Sequence, residues 1–220
     1  CGCRAMWNVS GTNENQLALV EAGGLGVILN NMDGYLDFAE VQEQALAALG
    51  NLGAVEVNLQ KIIEVGTVGR IVEAMNKHSD NVEVQMKGCT AITNLAYHVT
   101  QLKKSIMEAG GGGAVVISMV MHPSDPALQE KALRAMRNLS AQCEENKLEL
   151  ANIGGIDAVV TAMQVHRDIS GVQEAGAWAL SNMAGNVDVK VLIGDCGGID
   201  VIIRAMWVHS DIVSVEEWCC

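Results

Sequence analysis

Five evenly spaced copies of one short phrase constrain this chain more than any other feature. Asn8, Asn51, Asn94, Asn138 and Asn182 stand in Trp-Asn-Val-Ser, Gly-Asn-Leu-Gly, Thr-Asn-Leu-Ala, Arg-Asn-Leu-Ser and Ser-Asn-Met-Ala, at intervals of 43, 43, 44 and 44. A second marker, Val41-Gln42, Val84-Gln85, Leu128-Gln129, Val172-Gln173 and Val215-Glu216, recurs at 43, 44, 44 and 43. Glycines keep step at Gly23-Gly24, Gly66, Gly110 to Gly113, Gly154-Gly155 and Gly197-Gly198, and so do Met32, Met75, Met119, Met163 and Met206. Four marker sets with one period define a repeat array. A unit of this size cannot bury its apolar faces alone, so neighbouring units must stack to make the core.

Within one period the chain divides into three helical pieces. Residues 144–153 carry Leu148 and Ile153 and stop at Gly154-Gly155, where glycine permits the left-handed turn that ends a helix. From Ile156 to His166, the residues Ile156, Val159, Val160 and Met163 fall on one face at helical spacing. A third piece, starting near Ile169, sets Val172, Ala175, Ala179, Leu180 and Met183 on one stripe. Asp37, Asp80, Asp125, Asp168 and Asp211 mark the start of this third piece as N-capping acids; Glu40 and Glu83 add capping-box spacing, and Pro126 follows Asp125 at a favoured first helical position. Half of the residues are apolar, yet only seven are aromatic and two are proline, which suits a helical core of Ala, Leu, Val, Ile and Met.

The glycine pair, the apolar second helix, Val-Gln, and the Ala-Leu-x-Asn-Leu-Ala-like end of the third helix together resemble the armadillo repeat family. The run from Val172 to Asn182 is especially similar to an armadillo third helix. The resemblance covers essentially the whole chain and implies an all-α fold, a right-handed α-solenoid or superhelix with about three helices per 43–44-residue repeat. Residues 1–220 are then a single armadillo-repeat domain. The tail of a truncated repeat occupies 1–11, complete repeats occupy 12–54, 55–98, 99–142 and 143–186, and a truncated repeat occupies 187–220. Such arrays carry polar capping repeats at their ends. Met6, Trp7, Val213, Val215 and Trp218 are placed here at open ends, so a fragment of a longer array, or ends that pack on other chains, is the expectation.

Fourteen Lys and Arg against 26 Asp and Glu give a formal charge of −12, which repels phosphate backbones and anionic bilayers; nucleic-acid and membrane partners are not expected. No apolar run has membrane-spanning length, and no signal peptide is evident. The seven cysteines are odd in number, with Cys1, Cys3, Cys219 and Cys220 at the ends and Cys89, Cys143 and Cys196 scattered between. That usage fits a reduced intracellular setting, cytoplasmic or nuclear, and offers no paired zinc-ligand spacing. His78, His122, His166 and His209 share one repeat position, too far apart for one metal, where each suits the exposed carbonyls at the end of its own second helix. His98 stands outside that pattern without a constellation around it. Gly110 to Gly113 lacks the Gly-Lys-Ser/Thr of a phosphate loop and falls on the ordinary inter-helix turn. No nucleophile elbow or zincin motif is present, so no enzyme, cofactor or metal is expected.

The asparagines carry the binding expectation. At 100° per residue, Asn182 lies about 90° from the centre of its apolar stripe, on an edge shared with Trp178 and Glu174. Asparagine both donates to and accepts from a peptide group. The residues alone leave two readings open, contact with an extended ligand or local hydrogen bonds that close the third helix. The armadillo resemblance implies the first, with third helices lining a concave groove, for Asn51, Asn94, Asn138 and Asn182. One turn before the asparagines stand Arg4, Ala47, Thr90, Arg134 and Trp178. Trp178 with Asn182 is the one match to the Trp-x-x-x-Asn phrase that importin-α-type adaptors repeat, so a nuclear-import adaptor for basic signals ranks third. Arg134 and Arg137 make a basic spot beside Asn138 suited to a carboxylate or phosphate, opposed by Glu43, Glu130 and Glu174. Trp178 reads either as a binding anchor or as an indole packed between repeats.

The expected function is a non-enzymatic protein–protein interaction scaffold that binds an extended peptide through the asparagine ladder. Specificity falls to Trp178, Arg134, Arg137, Thr90, Glu130 and Glu174. The alternative is a structural element of a larger assembly, contacting neighbours through its ends and convex face, with end-to-end self-association among its forms.

Overall fold

The computed structural model describes residues 2–219; Cys1, Cys220 and the side chain of His98 lie outside the described residues. Among the described residues every regular element is an α-helix, sixteen in all. They fall into two compact units, Cys1–Ala114 and Val115–Cys220.

The first unit opens with α1 (Gly2–Val9), followed by α2 (Asn13–Glu21), α3 (Gly24–Gly34) and α4 (Ala39–Leu52). Next come α5 (Glu56–Glu64), α6 (Thr67–Lys77), α7 (Val82–His98) and α8 (Thr100–Glu108); α9 (Gly111–Met121) begins here and ends in the second unit. In the first unit α4 packs between α1 and α7, and α3 lies against α6. The second unit continues with α10 (Pro126–Ser140), α11 (Glu144–Asn152), α12 (Gly155–Val165) and α13 (Ser170–Met183). It closes with α14 (Val187–Asp195), α15 (Gly198–Val208) and α16 (Val213–Cys219). Here α13 packs between α10 and α16, and α12 lies against α15.

Glycine sets the joint between first and second helices. Gly23, Gly66, Gly110, Gly154 and Gly197 have φ of 81°, 70°, 84°, 85° and 84°, a region where a Cβ is strained. The second glycine of a pair serves a different need: a Cβ on Gly155 would meet the Leu150 carbonyl oxygen at 2.6 Å. The apolar stripes read from the sequence are buried. Ile156, Val159, Val160 and Met163 are at most 4% exposed, and Val172, Ala175, Ala179, Leu180 and Met183 at most 3%. The short first helix differs, because Leu150 takes its buried position while Leu148 and Ile153 are exposed.

Two sequence expectations are corrected. Asp37, Asp80 and Asp168 stand one residue ahead of the caps of their third helices, which are Phe38, Asn81 and Ile169, and α16 begins at Val213, two residues after Asp211. Asp125 does cap, accepting from the Leu128 N–H at 2.9 Å, because the extra residue at Pro123 moves it into register. Asn81 caps α7 in the same way, accepting from the Val84 N–H at 3.1 Å. Asp37 instead meets Lys77 Nζ at 2.7 Å, and that hydrogen bond and charge hold its carboxyl below the usual range. The second correction concerns the ends. Of the side chains expected to lie open there, Val215 is fully buried and Trp218 stacks on Trp178, whereas Val213 is exposed.

The joints between helices are tied by side chains that the sequence displayed only as markers. The amide Nε2 of Gln42 donates to the carbonyls of Met32 and Tyr35 at 3.0 and 2.9 Å. Gln85 does the same to Met75 and His78, both at 2.8 Å, and Gln129 to Met119 and His122 at 2.9 and 3.0 Å. Gln173 repeats it with Met163 and His166 at 3.0 and 2.9 Å. One buried amide per repeat thus satisfies carbonyls that the end of the second helix leaves without intrahelical partners. His78, His166 and His209 work between repeats instead of on their own helices. Nε2 of His78 lies 2.7 Å from the Leu36 carbonyl, Nε2 of His166 lies 2.8 Å from that of Pro123, and Nε2 of His209 lies 2.7 Å from that of Arg167.

Candidate functional site

The third helices form the candidate face, as the row α1, α4, α7 in the first unit and the row α10, α13, α16 in the second. Each ladder asparagine sits near the end of its helix on the edge of the apolar stripe, where Asn51, Asn94 and Asn182 are only partly covered. In the first unit, Nδ2 of Asn51 donates to Ser10 Oγ at 3.0 Å and to the Trp7 carbonyl at 3.5 Å. Asn94 Nδ2 donates to the Gly50 carbonyl at 2.7 Å. In the second unit, Asn182 Nδ2 donates to the Arg137 carbonyl at 2.9 Å. Each bond reaches back to the preceding third helix, so these amides join helices and do not close their own.

This geometry leaves the other side of the amide open. Among the described residues, Oδ1 of Asn51, Asn94 and Asn182 accepts no hydrogen bond, and all three side chains are half-buried. A fixed carboxamide with a free acceptor at the surface matches the N–H of an extended chain. Asn138 differs. It is buried, and its Oδ1 accepts from Arg137 Nε at 3.0 Å.

Arg137 belongs to a stack. Its guanidinium lies 4.0 Å from the ring centroid of Trp178, and Trp178 in turn stacks on Trp218 at 3.7 Å with 9° between the planes. A planar cation on an indole face is a favourable pairing, worth roughly 0.5–2 kcal/mol according to its exposure. Arg134 is engaged as well, its Nη2 at 2.8 Å and Nε at 3.1 Å from Glu130 Oε1, one helical turn earlier. Glu130 reaches over α13, since a Cβ on Gly171 would meet its Oε2 at 2.5 Å. The basic spot expected beside Asn138 is therefore internally neutralised on one arginine and capped by indole on the other. Thr90 returns its hydroxyl to the Met86 carbonyl at 2.8 Å, and Glu174 stands half-buried on α13. In the first unit Lys87 Nζ lies 5.3 Å from the Trp7 ring centroid, a cation–indole contact that the sequence did not single out.

Among the described residues no disulfide forms. Cys3, Cys89 and Cys143 are buried, and burial raises the Cys3 thiol above its ordinary value. Among the described residues no three His, Cys, Asp or Glu side chains group as a metal site would require, and no helix is long and apolar enough to cross a membrane.

Comparison with known proteins gives a consistent picture of the fold. The family model described as LRRK2 ARM repeat matches residues 2–215. No curated protein matches the chain. Among solved structures, an engineered protein is similar with a TM-score of 0.88 at 23% identity, over 99% of this chain and 87% of that one. A designed armadillo repeat protein has a TM-score of 0.86 at 22% identity, over 99% and 88% of the two chains. A second designed armadillo repeat protein, solved in complex with the peptide (KR)4, has a TM-score of 0.84 at 22% identity, over 99% and 91%.

Proposed function

The chain belongs to the armadillo repeat family, and from that premise we propose that it is a non-enzymatic adaptor that binds an extended segment of a partner protein along its third helices. The observation that carries this reading is the half-buried asparagines, Asn51 and Asn94 in the first unit and Asn182 in the second, each oriented by its Nδ2 and each with Oδ1 unused among the described residues. An acceptor already held in place by one bond costs little further side-chain ordering when a ligand N–H arrives. A similar designed protein, in complex with (KR)4, supports an extended peptide as the kind of ligand. Trp178, Thr90, Arg134, Arg137, Glu130 and Glu174 then flank the ligand and set its sequence. Asn138 contributes only where the ligand displaces Arg137 from it.

The assembly reading, in which the ends and outer faces dock to neighbours or to another copy, rests on a different observation. Val120, Trp207 and Val213 leave large apolar side chains exposed at 65%, 80% and 80%.

Fluorescence anisotropy with extended basic, acidic, phosphorylated and neutral peptides separates the two. One class is expected to bind, with affinity falling at least about tenfold in the Asn51→Ala, Asn94→Ala, Asn182→Ala triple variant, equivalent to about 1.4 kcal/mol. Helical circular dichroism and melting of that variant are recorded alongside, because each substitution also removes a bond to the preceding helix. Undiminished binding by a folded triple variant overturns the proposal, and so does the absence of binding by the parent chain.

A further inference from the structure

The second unit carries a positively charged groove on its second helices, away from the asparagines. It has a volume of about 510 Å³ and is lined by Gln164 of α12, Arg167 in the loop after it, and Asp200, Val201, Ile203, Arg204 and Trp207 of α15. Trp207 is 80% exposed. The repeat register shows that this exposure is a property of the position. The equivalent residues Asp33, Asn76, Val120 and Gln164 are exposed in every other repeat, and so are Asn30, Glu73, Ile117 and Thr161, the equivalents of Arg204. An indole stands where the fold keeps a side chain in solvent, and a large aromatic there has no packing role of its own.

The charges beside it are equally out of place. In a chain of net charge −12, Arg167 and Arg204 flank Trp207, and among the described residues neither guanidinium makes an ion pair. Asp200 lines the groove one turn before Arg204 and is the only acid among its described lining residues. The frame is fixed: His209 Nε2 lies 2.7 Å from the Arg167 carbonyl, tying the end of α15 to the loop after α12, and Arg167 Nε donates to the Gln164 carbonyl at 2.9 Å.

We propose that this groove is a second docking surface, which binds an acidic segment of a partner protein with carboxylates on Arg167 and Arg204 and an adjacent large apolar side chain on Trp207 and Ile203. Guanidinium groups recognise carboxylates through parallel N–H donors, and an exposed indole supplies the apolar anchor that dominates small interfaces. Arg204 and Trp207 are three residues apart on one helix, a rise of about 4.5 Å, so the carboxylate and the apolar group must lie within a residue or two in an extended ligand.

The test uses the whole chain and fluorescein-labelled peptides with Asp or Glu next to Leu or Phe, beside phosphoserine and lysine versions of the same peptides. The acidic peptides are expected to bind, more weakly as salt rises, and to lose at least tenfold in affinity in Trp207→Ala and in Arg204→Glu. The double variant Arg167→Glu, Arg204→Glu is expected to switch preference to the lysine peptides. Trp207 and Arg204 are exposed, so unchanged helical signal and melting accompany the loss in their single variants, and the asparagine triple variant binds as the parent does. Absent or variant-insensitive binding of the acidic peptides overturns the proposal. Preference for phosphoserine also overturns it, as does concentration-dependent self-association that Trp207→Ala abolishes.

Discussion

Replacing Gln85 by Met tests whether the buried glutamines tie each repeat together. Gln85 is 1% exposed, and its single amide nitrogen serves the Met75 and His78 carbonyls, both at 2.8 Å. Methionine keeps the length and nearly the volume of the side chain, so the cavity term stays small and the hydrogen bonds are isolated. Two net hydrogen bonds at roughly 0.5–1.5 kcal/mol each give about 1–3 kcal/mol; the His78 oxygen keeps the Asn81 N–H at 3.0 Å, so only the Met75 oxygen pushes the cost upward. The apolar replacement returns part of it, since burying a thioether costs less than burying an amide. A loss of about 2 kcal/mol is expected.

Urea unfolding followed by circular dichroism reads this as a lower midpoint with an unchanged slope, because native and unfolded surfaces hardly differ between the variants. Gln60→Met is the matched control. Gln60 is exposed and bonds only Glu64, at 3.2 Å, so its loss is expected to fall within about 0.5 kcal/mol of the parent. A Gln85→Met protein that unfolds with the control refutes the reasoning, since it shows the carbonyls to be equally satisfied without the amide.

Three further outcomes follow from the same geometry. In the last repeat the glutamine position is held by Glu216, whose carboxylate has no proton to donate, so Glu216→Gln is expected to stabilise by about 0.5–1.5 kcal/mol; a neutral or destabilising result in the same urea experiment counts against the register. A Cβ on Gly176 would meet Met163 Cγ at 2.6 Å, whereas one on Gly26 meets nothing within 4 Å. Gly176→Ala is therefore expected to cost about 1–3 kcal/mol and Gly26→Ala to gain up to about 1 kcal/mol in thermal melts, and the reverse order would contradict the packing. The Glu144 carboxyl is held below its ordinary value by hydrogen bonds from Lys147 and Asn186, so the folded state binds its proton less readily than the unfolded state does. Its contribution is complete above the usual carboxylate range and is lost as pH falls through the depressed folded value, so Glu144→Gln should flatten the acid limb of stability against pH. Superimposable limbs would show that the pairing contributes nothing.

The period, the helix triplets and the buried stripes were legible in the sequence because each repeat solves the same packing problem with the same residues. A left-handed joint needs Gly23, Gly110, Gly154 and Gly197 wherever it recurs, and that need shows as spacing. The caps were less legible because an acid one residue too early, such as Asp37 or Asp168, has the same local pattern as a true cap like Asp125. Whether the acid caps depends on the backbone at the following residue, and Phe38 and Ile169 take that place without any side-chain bond. Burial on the short first helix turned on a two-residue difference between Leu148 and Leu150, within the scatter of any one-turn periodicity. The partners of the histidines and asparagines were hidden for another reason. Those of His78, His166, Asn94 and Asn182 are main-chain carbonyls more than forty residues away, and a carbonyl carries no residue identity for a sequence to display.

That last point bears on how the asparagine ladder would act under the proposed function. One residue type recurs at the end of four consecutive third helices, yet its four amides are not equivalent. Asn51, Asn94 and Asn182 give their nitrogen to the preceding helix and present oxygen outward, while Asn138 has its oxygen engaged by Arg137, which itself covers Trp178. A ligand N–H meets a ready acceptor at the first three, but at Asn138 it must first displace a charge-assisted bond and a cation–indole contact. The ladder is therefore expected to be graded, with Asn94→Ala costing more binding than Asn138→Ala. Arg137→Ala frees the Asn138 acceptor and should narrow that gap. Equal losses at Asn94 and Asn138, with Arg137 in place, would mean that the ligand does not read the asparagine oxygens at all.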